Sequence, residues 1–108
     1  MSTSRLVLSE LAVTDILEQA EWYEAQVDVS LAKRWEDAVT DVLLRIAEMP
    51  DAGAQCSFGA KELEGTRRVP IRGFSKHLIF YQSHKGEILV LRIIHGARDL
   101  ESLFSGGK

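Results

Sequence analysis

The chain has 108 residues, of which 45% are hydrophobic and 27% are charged, so it is long enough for one hydrophobic core and has neither a disordered nor a fibrous composition. Its single cysteine excludes an internal disulfide or a zinc knuckle and is typical of a reducing compartment. No apolar run is long enough to cross a bilayer or to form a secretory signal, so we expect one cytoplasmic domain that spans residues 1–108.

The net charge of −3 combines two halves of opposite sign. Residues 1–64 carry 13 acidic and 5 basic side chains, a net charge of −8, whereas residues 65–108 carry 8 basic and 3 acidic ones, a net charge of +5. Such segregation concentrates positive potential in the second half of the chain. It favours a protein that docks a macromolecule over one that works on a small metabolite.

The chain begins with a predicted strand and a predicted helix. The run from Arg5 to Ser9 is short and apolar, as in a strand, and Ser9 can cap a helix over residues 10–25. Apolar side chains recur at helical spacing in this helix. The acidic side chains fall elsewhere on the helical wheel: Asp15, Glu18, Glu21 and Glu24. We expect the last three to be solvated.

A second amphipathic helix follows at once. It can be capped by Asp28 or Ser30, and it must end at Met49 because Pro50 excludes the α conformation from the residue before it. The few residues between the two helices predict an antiparallel hairpin.

The second half of the chain predicts strands. Residues 51–65 lack periodicity and are interpreted as a loop, with a turn of helix near residues 61–63. Strands are predicted over residues 67–71, 77–83 and 87–95, the last two joined by a turn at residues 84–86, and a helical turn is predicted at 98–104 with a frayed tail at 105–108. In the last strand we expect Leu89, Leu91 and Ile93 to cover the helices, and Arg92 to lie on the other face with at least partial access to solvent.

The predicted fold class is therefore α+β. We expect an antiparallel two-helix hairpin packed on a small, mainly antiparallel twisted sheet of three to four strands.

Motifs of small-molecule enzymes are absent from the sequence. There is no glycine-rich phosphate loop, no nucleophile elbow and no metal-ligand spacing among the three histidines, so we expect neither a metal nor a cofactor. Basic residues from separate strands would instead converge on the sheet, next to polar aromatic side chains. The predicted target-binding set is Arg67, Arg68, Arg72, Lys76, His77, Tyr81, Arg92, His95 and Arg98.

The order of motifs along almost the whole chain resembles the ParE/RelE superfamily of toxins. These motifs are the strand and helical hairpin, Met49-Pro50-x-x-Gly53, Arg67-Arg68-Val-Pro, Leu78-Ile-Phe-Tyr81, and the strand that ends in His95-Gly-Ala-Arg98-Asp99. The resemblance implies a bacterial toxin of a type II toxin–antitoxin system, of the plasmid-stabilisation kind. It also implies an antitoxin partner, a small DNA-binding protein with a tail that folds on binding.

The superfamily places two activities on one fold. RelE-like members cleave messenger RNA in the ribosome, for which Arg67, Arg68 and Arg98 would be the catalytic residues here. However, Leu78 replaces a basic residue and Phe104 a C-terminal tyrosine of that pattern.

ParE-like members inhibit DNA gyrase through a protein–protein contact and share the His-Gly-x-Arg-Asp ending. This resemblance favours gyrase inhibition, without enzymatic activity and without direct binding of nucleic acid. A ribosome-dependent endoribonuclease and an inactive relative that only binds antitoxin remain alternatives. The antitoxin is expected to bind the apolar helical hairpin through Trp22, Tyr23, Trp35 and Val39.

Overall fold

The structure, a computed structural model, describes residues 3–96. The elements follow in the order β1 (Arg5–Leu8), α1 (Glu10–Gln26), α2 (Val29–Glu48), β2 (Ala54–Gln55), a 3₁₀ turn (Lys61–Leu63), β3 (Arg67–Ile71), β4 (Phe74–His84) and β5 (Glu87–His95). The helical turn and tail predicted after residue 97, together with Arg98 and Phe104, lie outside the described residues.

The strands form one sheet in the order β1-β5-β4-β3-β2. β1 runs parallel to β5, and the other neighbours are antiparallel. The predicted α+β class is confirmed, with one strand more than expected, because the two-residue β2 inside the predicted loop pairs with Arg67 and Arg68. β4 also begins three residues earlier than predicted, since Phe74 pairs with Ile71 across the turn.

Local signals set the ends of the helices. The Ser9 hydroxyl accepts the Ala12 N–H at 3.0 Å, and the Asp28 carboxylate accepts the Leu31 N–H at 2.9 Å, so both predicted caps are confirmed. α2 ends at Glu48, two residues before Pro50. Within residues 3–96, neither helix combines the length and apolarity needed to cross a membrane.

The main core lies between the helical hairpin and the sheet. α2 supplies most of it from the helical side, and Trp35 is fully buried, where its indole N–H donates to the Ile16 carbonyl of α1 at 3.1 Å. A second, smaller cluster lies on the other face of the sheet, because Phe80 alternates with the core residues Ile79 and Tyr81. There the segment with Cys56 and Phe58 packs on Phe80, Leu78 and Ile94.

The predicted facing of β5 was wrong in part. Ile88 and Val90 are fully buried in the main core, whereas Leu89 is 37% exposed. The register shifts between Phe80 and Tyr81, which pair with Arg92 and Val90, so Leu91 is an extra residue in β5. Beyond this bulge the parity changes, and Ile93 returns to the main core as predicted.

Candidate functional site

Two residues of the predicted target-binding set hold the loop that follows α2. Tyr81 is fully buried, and its hydroxyl donates to the Pro50 carbonyl at 2.7 Å and accepts the Gly53 N–H at 3.0 Å. Arg67 donates to the carbonyls of Gly53 at 2.7 Å and Asp51 at 3.1 Å, and its guanidinium lies 3.8 Å from the Asp51 carboxylate. The prediction that these two side chains contact a target is corrected, because their polar groups are used inside the protein.

The same loop explains the glycine of the Met49-Pro50-x-x-Gly53 motif. A Cβ atom at Gly53 would lie 2.6 Å from the Tyr81 hydroxyl oxygen and 3.1 Å from the Cβ of Arg67, so only glycine fits. Burial raises the pKa of Tyr81, more than the Gly53 N–H and the Arg67 charge lower it. The phenol therefore stays protonated and continues to donate its O–H to the Pro50 carbonyl.

Arg92 is also engaged within the protein. Its Nε and Nη2 each donate to a carboxylate oxygen of Asp15 on α1 at 2.8 Å, and the same carboxylate accepts the Ile93 N–H at 2.9 Å. The two side chains are 11% and 8% exposed. The hydrogen bonds that Arg92 donates to Asp15 raise the pKa of Arg92, so the guanidinium stays charged. The sequence did not predict this pair, in which the two charges neutralise each other and Arg92 keeps only partial access to solvent.

This ion pair closes the edge of β5 beyond the end of β1. β1 pairs with β5 as far as Leu8, and Ser9 continues the contact by donating its N–H to the Val90 carbonyl and its hydroxyl to the Leu91 carbonyl. The Asp15 carboxylate then accepts a hydrogen bond from the N–H of Ile93, further along the same edge. The start of α1 therefore replaces a strand along this edge.

The exposed cations of the predicted set do not form one surface. Arg68 lies opposite Phe80 on the face away from the helices, Arg72 follows β3 beside α2, and Lys76 lies at the far end of β4, where its carbonyl accepts the Gly96 N–H. Among residues 3–96, the single basic sheet face predicted from the sequence is therefore not found. Arg98, the remaining cation of that set, lies outside the described residues.

His77 and His95, by contrast, come together as predicted. They face each other across β4 and β5 with ring centroids 5.5 Å apart, and His77 lies 5.0 Å from the ring of Trp35. Burial, and then the neighbouring His95, lower the pKa of His77, so this imidazole is neutral at pH 7. Both line a groove of about 260 Å³, here called the β5-edge groove, with Asp15, Glu18, Gln19, Trp22, Ile93 and Ile94.

The predicted antitoxin-binding residues divide into two groups. Trp22 is 55% exposed, and its ring lies 5.6 Å from that of the half-buried Tyr23, so both keep accessible surface. Trp35 and Val39 are 0% and 2% exposed and belong to the core. The prediction that Trp35 and Val39 contact an antitoxin was wrong, because a helix stripe of large apolar residues here covers the sheet.

A wider groove, of about 660 Å³, lies between α2 and β3 and was missed by the sequence reasoning. We call it the α2–β3 groove, and it is lined by Ala38, Asp41, Val42, Leu44, Arg45, Glu48, Val69, Pro70 and Arg72. Leu44 is 55% exposed at its rim. The available signal was Pro70, since a proline within a strand indicates an edge that is not fully paired.

Within residues 3–96, no cluster of three or more histidine, cysteine or acidic side chains could hold a metal ion. The α2–β3 groove and the β5-edge groove, together with scattered cations, are suited to binding another protein.

Comparison with known proteins agrees with this geometry. A solved structure described as the chromosomal ParDE TA system from P. aeruginosa is 15% identical, with a TM-score of 0.71, and the match covers 86% of this chain and 96% of that one. No curated protein matches the sequence. The family model described as the ParE toxin of the type II toxin-antitoxin system, parDE, matches residues 6–100. Because this match spans most of the sequence, the resemblance is confirmed: the chain belongs to the ParE toxin family of type II toxin–antitoxin systems.

Proposed function

We propose that this protein inhibits DNA gyrase through a protein–protein contact, and that a cognate antitoxin neutralises it in the bacterial cytoplasm. Membership of the ParE family supports a toxin with an antitoxin partner. One observation carries the choice between a contact inhibitor and a nuclease. Arg67, a cation that a nuclease of this fold would use, is bound to the carbonyls of Asp51 and Gly53.

A ribosome-dependent nuclease needs cations and proton donors gathered at one open site. Arg67 is only 21% exposed, and Leu78 packs against the cluster of Phe80 and Ile94, so Arg68 is the exposed cation left on this part of the sheet within residues 3–96. α1 carries five acidic residues and no basic one, a charge that ribosomal RNA would repel. Both observations favour a protein target.

The two grooves provide separate surfaces for the two partners. The α2–β3 groove combines an apolar floor, which includes Val42 and Val69, with charges of both signs from Asp41, Arg45 and Arg72. This lining suits an amphipathic antitoxin segment that folds on binding. We assign the β5-edge groove to the target, because His77 and His95 of the predicted target-binding set line it.

The experiment compares the purified protein in two reactions, gyrase supercoiling and cleavage of messenger RNA during translation in vitro. We expect loss of supercoiling that added antitoxin reverses, and no cleavage of messenger RNA. Arg68→Ala separates the two functions, because a nuclease would lose activity with this cation and a contact inhibitor would keep it.

Cleavage of messenger RNA without any effect on gyrase would replace the proposal by the nuclease. Absence of both effects, with no growth arrest on overexpression, would leave a relative that only binds antitoxin.

A further inference from the structure

We propose that the β5-edge groove binds one arginine side chain of the toxin's protein target. The proposal rests on the proposed function for the identity of that target, DNA gyrase. It assigns a ligand chemistry to a groove in which the sequence predicted His77 and His95 to bind the target and Trp22 to bind the antitoxin.

The size of the groove suits a single long side chain. Its volume of about 260 Å³ lies below the roughly 300 Å³ at which small-molecule sites begin. Of the apolar side chains that line it, Trp22 is the accessible one, because Ile93 and Ile94 are only 2% and 4% exposed and belong to the two separate apolar clusters of the sheet. The indole of Trp22 can cover part of the methylene stem of an arginine while the charged end lies at the rim.

The rim supplies the two groups that a guanidinium prefers. Glu18 and Trp22 are four residues apart on α1, so they lie on the same face of the helix, one turn from each other. Trp22 is 55% exposed, and Glu18 is exposed and takes part in no ion pair within residues 3–96. A carboxylate beside an indole face binds a planar cation by hydrogen bonds and by cation–π attraction.

Asp15, which lines the groove, already binds a guanidinium of this chain. Asp15, one turn before Glu18, binds Arg92 through two hydrogen bonds of 2.8 Å. That pair uses the charge of Asp15, whereas Glu18 attracts Arg92 without forming a direct ion pair with it. With five acidic residues and no basic one on α1, the potential at the rim favours a cation.

Charge complementarity also indicates which partner supplies the arginine. A DNA-binding enzyme carries arginine and lysine on the surface that contacts phosphates. The acidic side of α1 is complementary to such a surface, whereas the α2–β3 groove, with charges of both signs, suits the antitoxin. The occupant is therefore an arginine of the DNA-binding surface of gyrase.

Inhibition of supercoiling by toxin variants tests the proposal. Glu18→Gln and Trp22→Ala should each raise the concentration for half-inhibition by about 10-fold, the loss expected for one cation contact. Glu21→Gln is the matched control, because it removes the same charge from an exposed position of α1 that does not line the groove. It should change the half-inhibition concentration less than about 2-fold. Equal losses for Glu18→Gln and Glu21→Gln would overturn the proposal, since net charge alone would then matter.

The affinity for antitoxin, measured on the same variants, tests the choice of partner. We expect it to be unchanged. If Glu18→Gln and Trp22→Ala weakened antitoxin binding and left gyrase inhibition intact, the groove would belong to the antitoxin and the proposal would be wrong.

A gyrase-independent measurement separates this proposal from the proposed function. Titration with N-acetyl-arginine amide should produce a saturable change in the fluorescence of the exposed Trp22, absent in Glu18→Gln and present in Glu21→Gln. The neutral citrulline analogue should produce none. No saturable change with the arginine amide would overturn the arginine site. Saturation by a wild-type protein that leaves gyrase untouched would remove gyrase as the function and as the source of the arginine, while the arginine site itself would stand.

Discussion

Replacement of Asp15 by asparagine should lower the free energy of unfolding more than the replacement of any exposed charged residue. The substitution keeps the shape of the side chain but leaves the guanidinium of Arg92, which is 11% exposed, without its counter-charge. Loss of one partner of a buried pair costs about 3–5 kcal/mol. Because the asparagine oxygen can still accept one hydrogen bond, we expect the lower end, about 3 kcal/mol. For a domain of this size that corresponds to a fall in Tm of roughly 12–24 °C.

Urea unfolding provides the measurement, and the surface pair of Lys33 and Asp37 provides the control. These two side chains lie 3.4 Å apart and are 74% and 63% exposed, so Asp37→Asn should cost less than about 1 kcal/mol. Joint replacement of Asp15 by leucine and Arg92 by methionine should recover part of the loss, since no charge is then buried alone, although the Ile93 N–H loses its acceptor. If Asp15→Asn and Asp37→Asn differed by less than about 0.5 kcal/mol, within the scatter of surface substitutions, the buried pair would not stabilise the fold as argued.

Three further predictions concern the loop, the histidine pair and the thiol. Gly53→Ala should lower the free energy of unfolding by about 1–3 kcal/mol, because the added Cβ would clash with Tyr81. In a double-mutant cycle the effects of Gly53→Ala and Tyr81→Phe should sum to more than the effect of the double variant, and full additivity would contradict the contact. The pKa of His77 is lowered in the folded protein, so the unfolded chain binds a proton at this imidazole more readily. Tm should therefore fall as the pH drops below 6.5, and it should fall less in His77→Asn. Parallel curves of Tm against pH for the two proteins would refute this. Burial raises the pKa of Cys56 above 9.0, so iodoacetamide should alkylate it more slowly at pH 8 in the folded protein than in urea, and equal rates would show that the thiol is not shielded.

The sequence predicted those parts of the fold that depend on neighbouring residues. Ser9 and Asp28 act as caps through hydrogen bonds to N–H groups three residues away, and Pro50 limits α2 by its own ring. The bounds of β3 and β5 were also confirmed. These features need no knowledge of what the chain packs against.

The missed features depend on partners that are distant in sequence. Arg92 is neutralised by Asp15, 77 residues earlier, and Arg67 by a loop 14 to 16 residues before it. A count of cations cannot reveal such partners, so the predicted basic face was too large. The bulge at Leu91 was hidden for another reason, because apolar residues on both faces of β5 give the same pattern in either register.

The position of β5 governs when this protein can fold. Glu87–His95 lies between β1 and β4, and within residues 3–96 β1 has no other neighbour in the sheet. Until the ribosome has made this strand, the helical hairpin has only a partial sheet to cover, and Asp15 has no arginine to bind. Native contacts between the two ends of the described chain must then form across a large separation in sequence, which slows folding. The native fold therefore forms only after synthesis of the strand, and a partner made in the same period can already be present when the binding surfaces first form.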